Sequence, residues 1–128
     1  MPTFTDHERA YLAEQRLGRL ATVDAQGQPH VVPTGFRFDA AEGVIMIGGF
    51  KVDGTKKFRD ARANPRVAFV VDDLASINPW RARGIEIRGD AQTFTEGGES
   101  IGPGFDGAWI RITPTHIVAW GLDPDPVG

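Results

Sequence analysis

Cysteine is absent from the 128 residues of this chain, which excludes a disulfide framework and thiolate chemistry and argues against an iron–sulfur cluster or a structural zinc site. Stability must come from packing alone. Lysine is scarce, with three residues against eleven arginines, and the formal net charge is −3. Such an acidic chain, with a pI near 5.5, argues against nucleic acid as the main partner, because binding to a phosphate backbone normally needs a basic face. Long apolar runs are missing too. None approaches the length of a membrane span, and Thr3 to Gln15 is polar and acidic where a signal peptide would be basic and then apolar. The expectation is a cytoplasmic protein with neither a membrane nor a nucleic-acid partner. Its length fits one domain, residues 1–128, of a size often completed by oligomerisation.

The lysine that is present lies together. Lys51, Lys56 and Lys57 fall in the window Lys51-Val52-Asp53-Gly54-Thr55-Lys56-Lys57. A helix is predicted to start inside it, with Asp53 as N-cap, Phe58, Ala61 and Arg62 at helical spacing, and Asn64-Pro65 as the stop. Two lysines then occupy the first turn, where the helix dipole and the unpaired N–H groups disfavour cations by about 0.3 to 1 kcal/mol each. An anion bound there would reverse the sign. Backbone donors, the Thr55 hydroxyl and two ammonium groups form a phosphate cradle, suited in an acidic protein to a small anionic ligand. The competing reading is a pair of solvated lysines on a helix shoulder.

Elsewhere the pattern is rich in strands. Thr5-Asp6-His7-Glu8 has the form of a capping box and opens a helix of about ten residues. Leu17 to Val23, the turn Asp24-Ala25-Gln26-Gly27 and Pro29 to Phe38 predict one hairpin, and the turn Asp39 to Gly43 followed by Val44 to Gly49 a second. Arg66 to Val71, Gly84 to Phe94, and Ala108 to Trp120 interrupted by Pro114 bring the total to six strands. Glu96 to Gly107, with five glycines and one proline, reads as a loop. Sequential strands with short turns and one helical excursion favour an antiparallel barrel with two short helices.

Gly27-Gln28-Pro29-His30-Val31-Val32-Pro33-Thr34-Gly35-Phe36, then Thr55-Lys56-Lys57 with Asn64-Pro65-Arg66-Val67, resembles the pyridoxamine 5′-phosphate oxidase-like split β-barrel superfamily over nearly the whole chain. Asn78 to Gly89 and Ile112 to Gly121 are similar to its F420 (deazaflavin)-dependent branch, the flavin/deazaflavin oxidoreductases of the B type. The resemblance implies a homodimer of six-stranded split barrels with the flavin or deazaflavin ring in a groove at the dimer interface. It also implies that Lys57, eight residues before Pro65, binds the cofactor phosphate with help from Lys56 and Thr55. Val32, Pro33 and Thr34, and Ile47 with Gly48, correspond to positions along the ring and ribityl chain, where backbone groups would do most of the contacting. Val32 and Ile47 read equally as barrel core. The pair Gly48-Gly49 would permit close approach of a ligand or another backbone.

Trp80 covers the ring from the partner subunit or serves in dimer packing. Arg81 and Arg83 neutralise an acidic cofactor tail or are simply solvated. His7, His30 and His116 lack metal-ligand spacing, His116 departs from an arginine frequent in relatives, and no acid–base constellation emerges. The expected activity is F420-dependent hydride transfer to a small organic acceptor. The rivals are an FMN-binding oxidoreductase of the same fold and a non-catalytic flavin or deazaflavin carrier.

Overall fold

A computed structural model describes residues 2–123. Its strands are β1 (Leu17–Val23), β2 (Pro29–Gly35), β3 (Arg37–Asp39), β4 (Val44–Gly48), β5 (Arg66–Ser76), β6 (Arg81–Phe94) and β7 (Trp109–Trp120), with helices α1 (Asp6–Glu14) and α2 (Lys56–Ala63). All pairings are antiparallel, and one curled sheet runs in the order β2-β1-β5-β6-β7-β4-β3.

Seven strands replace the expected six because the segment Pro29 to Phe38 is broken at Phe36. The Phe36 ring packs edge-on to Phe69, with centroids 5.2 Å apart, and the chain bends around that contact. β2 and β3 follow one another in sequence yet end opposite edges of the sheet. Closure of the half-barrel is therefore made by the covalent chain, while β2 comes alongside β4 without pairing to it. That unpaired seam is the split.

Other boundaries also differ from expectation. β5 runs to Ser76 and β6 begins at Arg81, because the two strands pair almost to the tip of their hairpin. Pro114 does not interrupt β7. Instead the ladder slips between Arg88↔His116 and Gly89↔Pro114, which leaves Thr115 without a partner in a bulge, the setting in which a strand tolerates proline. The Thr115 hydroxyl then donates to the Arg88 carbonyl at 3.2 Å.

Alternation decides the inner face. Leu20, Phe69, Val71, Ile85, Ile87, Ile110, Ile112, Ile45 and Ile47 are fully buried, and Phe58 and Ala61 of α2 pack into the same cluster. The capping box at Thr5 is present: the Glu8 N–H donates to Thr5 Oγ1 at 3.1 Å and the Thr5 N–H to the Glu8 carboxylate at 2.9 Å. α1 buries Tyr11 and Leu12 and is tied to the β5–β6 ribbon through Asp73. The Tyr11 hydroxyl donates to Asp73 at 2.7 Å, and Arg83 donates to the two oxygens of the same carboxylate at 2.7 and 3.0 Å. Burial, then the bond to Asp73, pushes the Tyr11 phenol above its ordinary range, while Arg83 holds Asp73 below its own. Among the described residues no helix is long and apolar enough to cross a membrane.

Gly18 on β1 shows how tightly this interior is filled. A Cβ at that position would stand 2.3 Å from Phe69 Cζ, and the Phe69 ring is wholly buried. Gly18→Ala is therefore expected to cost about 1 to 3 kcal/mol through overpacking, measured by urea denaturation with an unchanged m value.

Candidate functional site

The start of α2 is built from a short turn. Val52–Gly54 forms a 3-10 turn closed by Gly54 N–H to the Lys51 carbonyl and Thr55 N–H to the Val52 carbonyl, each at 3.0 Å. This places Asp53 inside the turn, so it cannot cap as the sequence suggested. Thr55, with φ −93° and ψ 157°, takes that role and accepts the Phe58 N–H at 3.4 Å. Its hydroxyl proton goes to the Val52 carbonyl at 2.5 Å, so Thr55 shapes the helix start rather than offering a free donor. Lys56 and Lys57 are the first two helical residues, and their backbone N–H groups find no acceptor among the described residues. Lys51 lies outside the helix with φ 51°, its ammonium 5.3 Å from the Phe50 ring centroid.

The two lysines of the first turn are not equivalent. Lys56 Nζ lies 3.3 Å from both oxygens of Asp60 and 3.6 Å from Asp24 Oδ2. The Asp60 side chain is only 8% exposed, and Thr22 Oγ1 donates to its Oδ2 at 3.0 Å. Asp24, in the β1–β2 turn, accepts the N–H groups of Gln28 and Gln26 at 2.9 Å each, and these, Gln28 foremost, hold its carboxyl below the ordinary range. Lys57 is half-buried and makes no ion pair or side-chain hydrogen bond among the described residues. Its ammonium pKa is lowered by burial, with no carboxylate to offset it. Lys57 is thus a half-buried cation without a counter-charge among the described residues, at a dipole end that already disfavours cations.

The remaining expected residues lie in two other places. Val32 and Thr34 point to the inner face of β2 and Pro33 to the outer one, so side chains of all three cannot meet one ligand. Their shared resource is backbone, because β2 ends the sheet and its outer rim is unpaired. From the Asp24 turn the strand leads away at about 3.3 Å per residue, setting Thr34 about 16 Å beyond Pro29. The Ile47 side chain is fully buried and belongs to the core. β3 pairs only with Val44 to Met46, so the Ile47–Gly48 backbone is uncovered on that side. The close approach permitted by Gly48 is taken by Phe105, whose ring lies 2.2 Å from where a Cβ would stand. Asp106 completes the brace, donating its N–H to the Gly49 carbonyl at 3.2 Å and accepting the Lys51 N–H at 3.1 Å.

Trp80 and Arg81 stand at the tip of the β5–β6 hairpin, at the far end of the strands from α2, and one chain does not bring them to Lys57. Trp80 is 69% exposed and Arg81 has no partner among the described residues; with Ala75, Arg83 and Leu122 they line a cleft of about 740 Å³. Arg83 is held by Asp73 and is not free for an acidic tail. Sequence reading missed Asp60, Thr22 and Asp24. The first was visible as the i+4 partner of Lys56. The others come near only through folding.

A phosphate-bearing cofactor fits the start of α2 on the strength of the N–H groups of Lys56 and Lys57 and the Lys57 ammonium, none of which has a partner among the described residues. The fold is a split half-barrel whose second helix begins with two N–H groups that have no acceptor among the described residues. The chain belongs to the pyridoxamine 5′-phosphate oxidase family, whose profile matches residues 4–120. It is 44% identical over 122 residues to the 5a,11a-dehydrotetracycline/5a,11a-dehydrooxytetracycline reductase of Streptomyces rimosus subsp. rimosus, covering 95% of this chain and 86% of that one. Among solved structures, an FAD-binding protein from Mycobacterium smegmatis superposes with a TM-score of 0.69 at 22% identity, covering 93% of this chain and 96% of that one. An F420 reductase superposes with a TM-score of 0.66 at 24% identity, covering 86% and 94%. These two likenesses concern the fold.

Removal of the Lys57 charge should not harm the free protein. With its pKa lowered in the folded state, Lys57 makes the unfolded chain bind more protons, so its contribution to stability rises with pH up to the ordinary value near 10.5. Lys57→Met is expected to match or exceed the wild type in thermal stability at pH 8, with the difference closing toward pH 10.5; a clear loss at pH 8 would show that the ammonium has a stabilising partner.

Proposed function

We propose that this protein is an F420-dependent oxidoreductase, a homodimer that reduces an unsaturated or carbonyl-containing small organic acceptor. The observation that carries the reading is Lys57, a half-buried cation without a counter-charge, placed by α2 beside two unpaired backbone donors. Membership of the family and the reductase named at 44% identity support oxidoreductase chemistry with a flavin or deazaflavin. The blocks Asn78 to Gly89 and Ile112 to Gly121 favour the deazaflavin. When bound, the reduced deazaflavin supplies hydride to the acceptor.

The chain's own residues bind, orient and shield. Lys57 with the N–H groups of Lys56 and Lys57 holds the phosphate, and Thr55 keeps the helix start in shape. The rim of β2 at Val32, Pro33 and Thr34 and the uncovered backbone at Ile47 and Gly48 border the ring. Trp80 and Arg81 reach the groove from the partner subunit and close it against water. A carbocyclic acceptor of the tetracycline type is the first to test, because the relative's name places its own reaction there.

Fluorescence titration of the purified protein with F420, and separately with FMN, tests the reading. Micromolar or tighter F420 binding is expected, weakened in Lys57→Ala by about 1.5 to 3 kcal/mol, the range for a charge-assisted contact, with the fold intact. Preference for FMN would transfer the protein to flavin chemistry, and binding of neither would remove the cradle. Sedimentation at micromolar concentration should show a dimer; a monomer would take Trp80 and Arg81 out of the site.

A further inference from the structure

We infer that Asp60 and Asp24 set the charge of the phosphate this site accepts: by neutralising Lys56 they match the cradle to a singly charged phosphodiester and oppose a doubly charged phosphomonoester. The inference rests on the cofactor reading above and concerns its selectivity.

Of the two ammonium groups at the start of α2, one faces two carboxylates and the other faces none among the described residues. Lys56 is claimed by Asp60 at 3.3 Å and Asp24 at 3.6 Å, which leaves it outnumbered. What remains for a ligand is Lys57, the unpaired N–H groups and the partial positive charge of the helix start. Lys51 and Asp53 are exposed and opposite in sign. Arg59 donates to the Gly54 carbonyl at 2.9 Å and has no carboxylate partner among the described residues, but it is exposed, so solvent screens its charge. Asp60 is different because it is nearly closed off from solvent, where a charge is weakly screened. One negative charge on a ligand is met by Lys57. A second would find no free ammonium at Lys56, which could turn to meet it only by abandoning a buried carboxylate.

Asp60 acts through Lys56 and is therefore a positioning residue. Thr22 locks one of its oxygens, which fixes where the Lys56 ammonium must stay. A purely structural role for Asp60 would leave selectivity between phosphate charge states untouched, and this separates the two roles.

The test is calorimetric titration of the full chain at pH 8 with riboflavin, FMN and the methyl phosphodiester of FMN, which share one ring and carry no, two and one phosphate charges. For the wild type the diester should bind at least as tightly as FMN, and both more tightly than riboflavin. In Asp60→Asn the FMN-to-diester affinity ratio should rise about tenfold, with steeper salt dependence and riboflavin unchanged. Asp24→Asn, whose side chain can still accept the turn N–H groups, should shift the ratio the same way by less and serves if Asp60→Asn does not fold. A wild type that prefers FMN, or a ratio unmoved in a folded variant, would overturn the inference while leaving the cofactor reading standing. Failure of the wild type to bind F420 or any of the three flavins would instead remove both.

Discussion

A carboxylate closed inside α2 governs the rest of this structure. Burying Asp60 is expensive unless its oxygens are met, and they are met from two directions, by Thr22 on β1 and by Lys56 one helical turn back. Those two contacts fix the rotation of α2 on the sheet. With that rotation set, Phe58 and Ala61 enter the core, and Lys57, about 100° around the helix from Lys56, is carried away from the acidic cluster. The ion network thus serves packing and site at once. It holds the helix, and it makes one lysine of the pair structural while leaving the other available.

Around that helix the half-barrel supplies a frame with a seam. Closure through the Phe36 bend leaves β2 and β4 adjacent without a ladder between them. The glycine-rich segment before β7 adds little regular structure, yet Phe105 on Gly48 and the two Asp106 contacts clamp the link between β4 and α2. A flexible composition here makes a brace because small residues let aromatic rings and backbone approach closely.

Most of the architecture was readable from residues. Alternation marked the strands, the capping box marked α1, and the lysine window marked the start of α2 to within two residues. Errors arose where a short turn or a long-range contact overrode local pattern. Asp53 is as good a cap by type as Thr55, and only the 3-10 turn formed by Val52–Gly54 decides between them. Pro29 to Phe38 alternates like one strand, and the break falls at Phe36, whose ring packs against Phe69 far along the chain. In the site, lysine clustering was visible but its division of labour was not, since Asp24 and Thr22 reach Lys56 and Asp60 only through the β1–β2 hairpin. Pairing of Ile47 with a ligand likewise could not be separated from core packing until its burial was known.

The free edge at β2 carries a further consequence. A half-barrel that does not close by hydrogen bonds exposes a rim on which a stray strand from another molecule could dock and propagate. Pro29 and Pro33 lie on that rim, and each removes an N–H from a strand of seven residues. Any ladder begun there would be interrupted within a few residues. The free rim is thereby kept from becoming a template for aggregation.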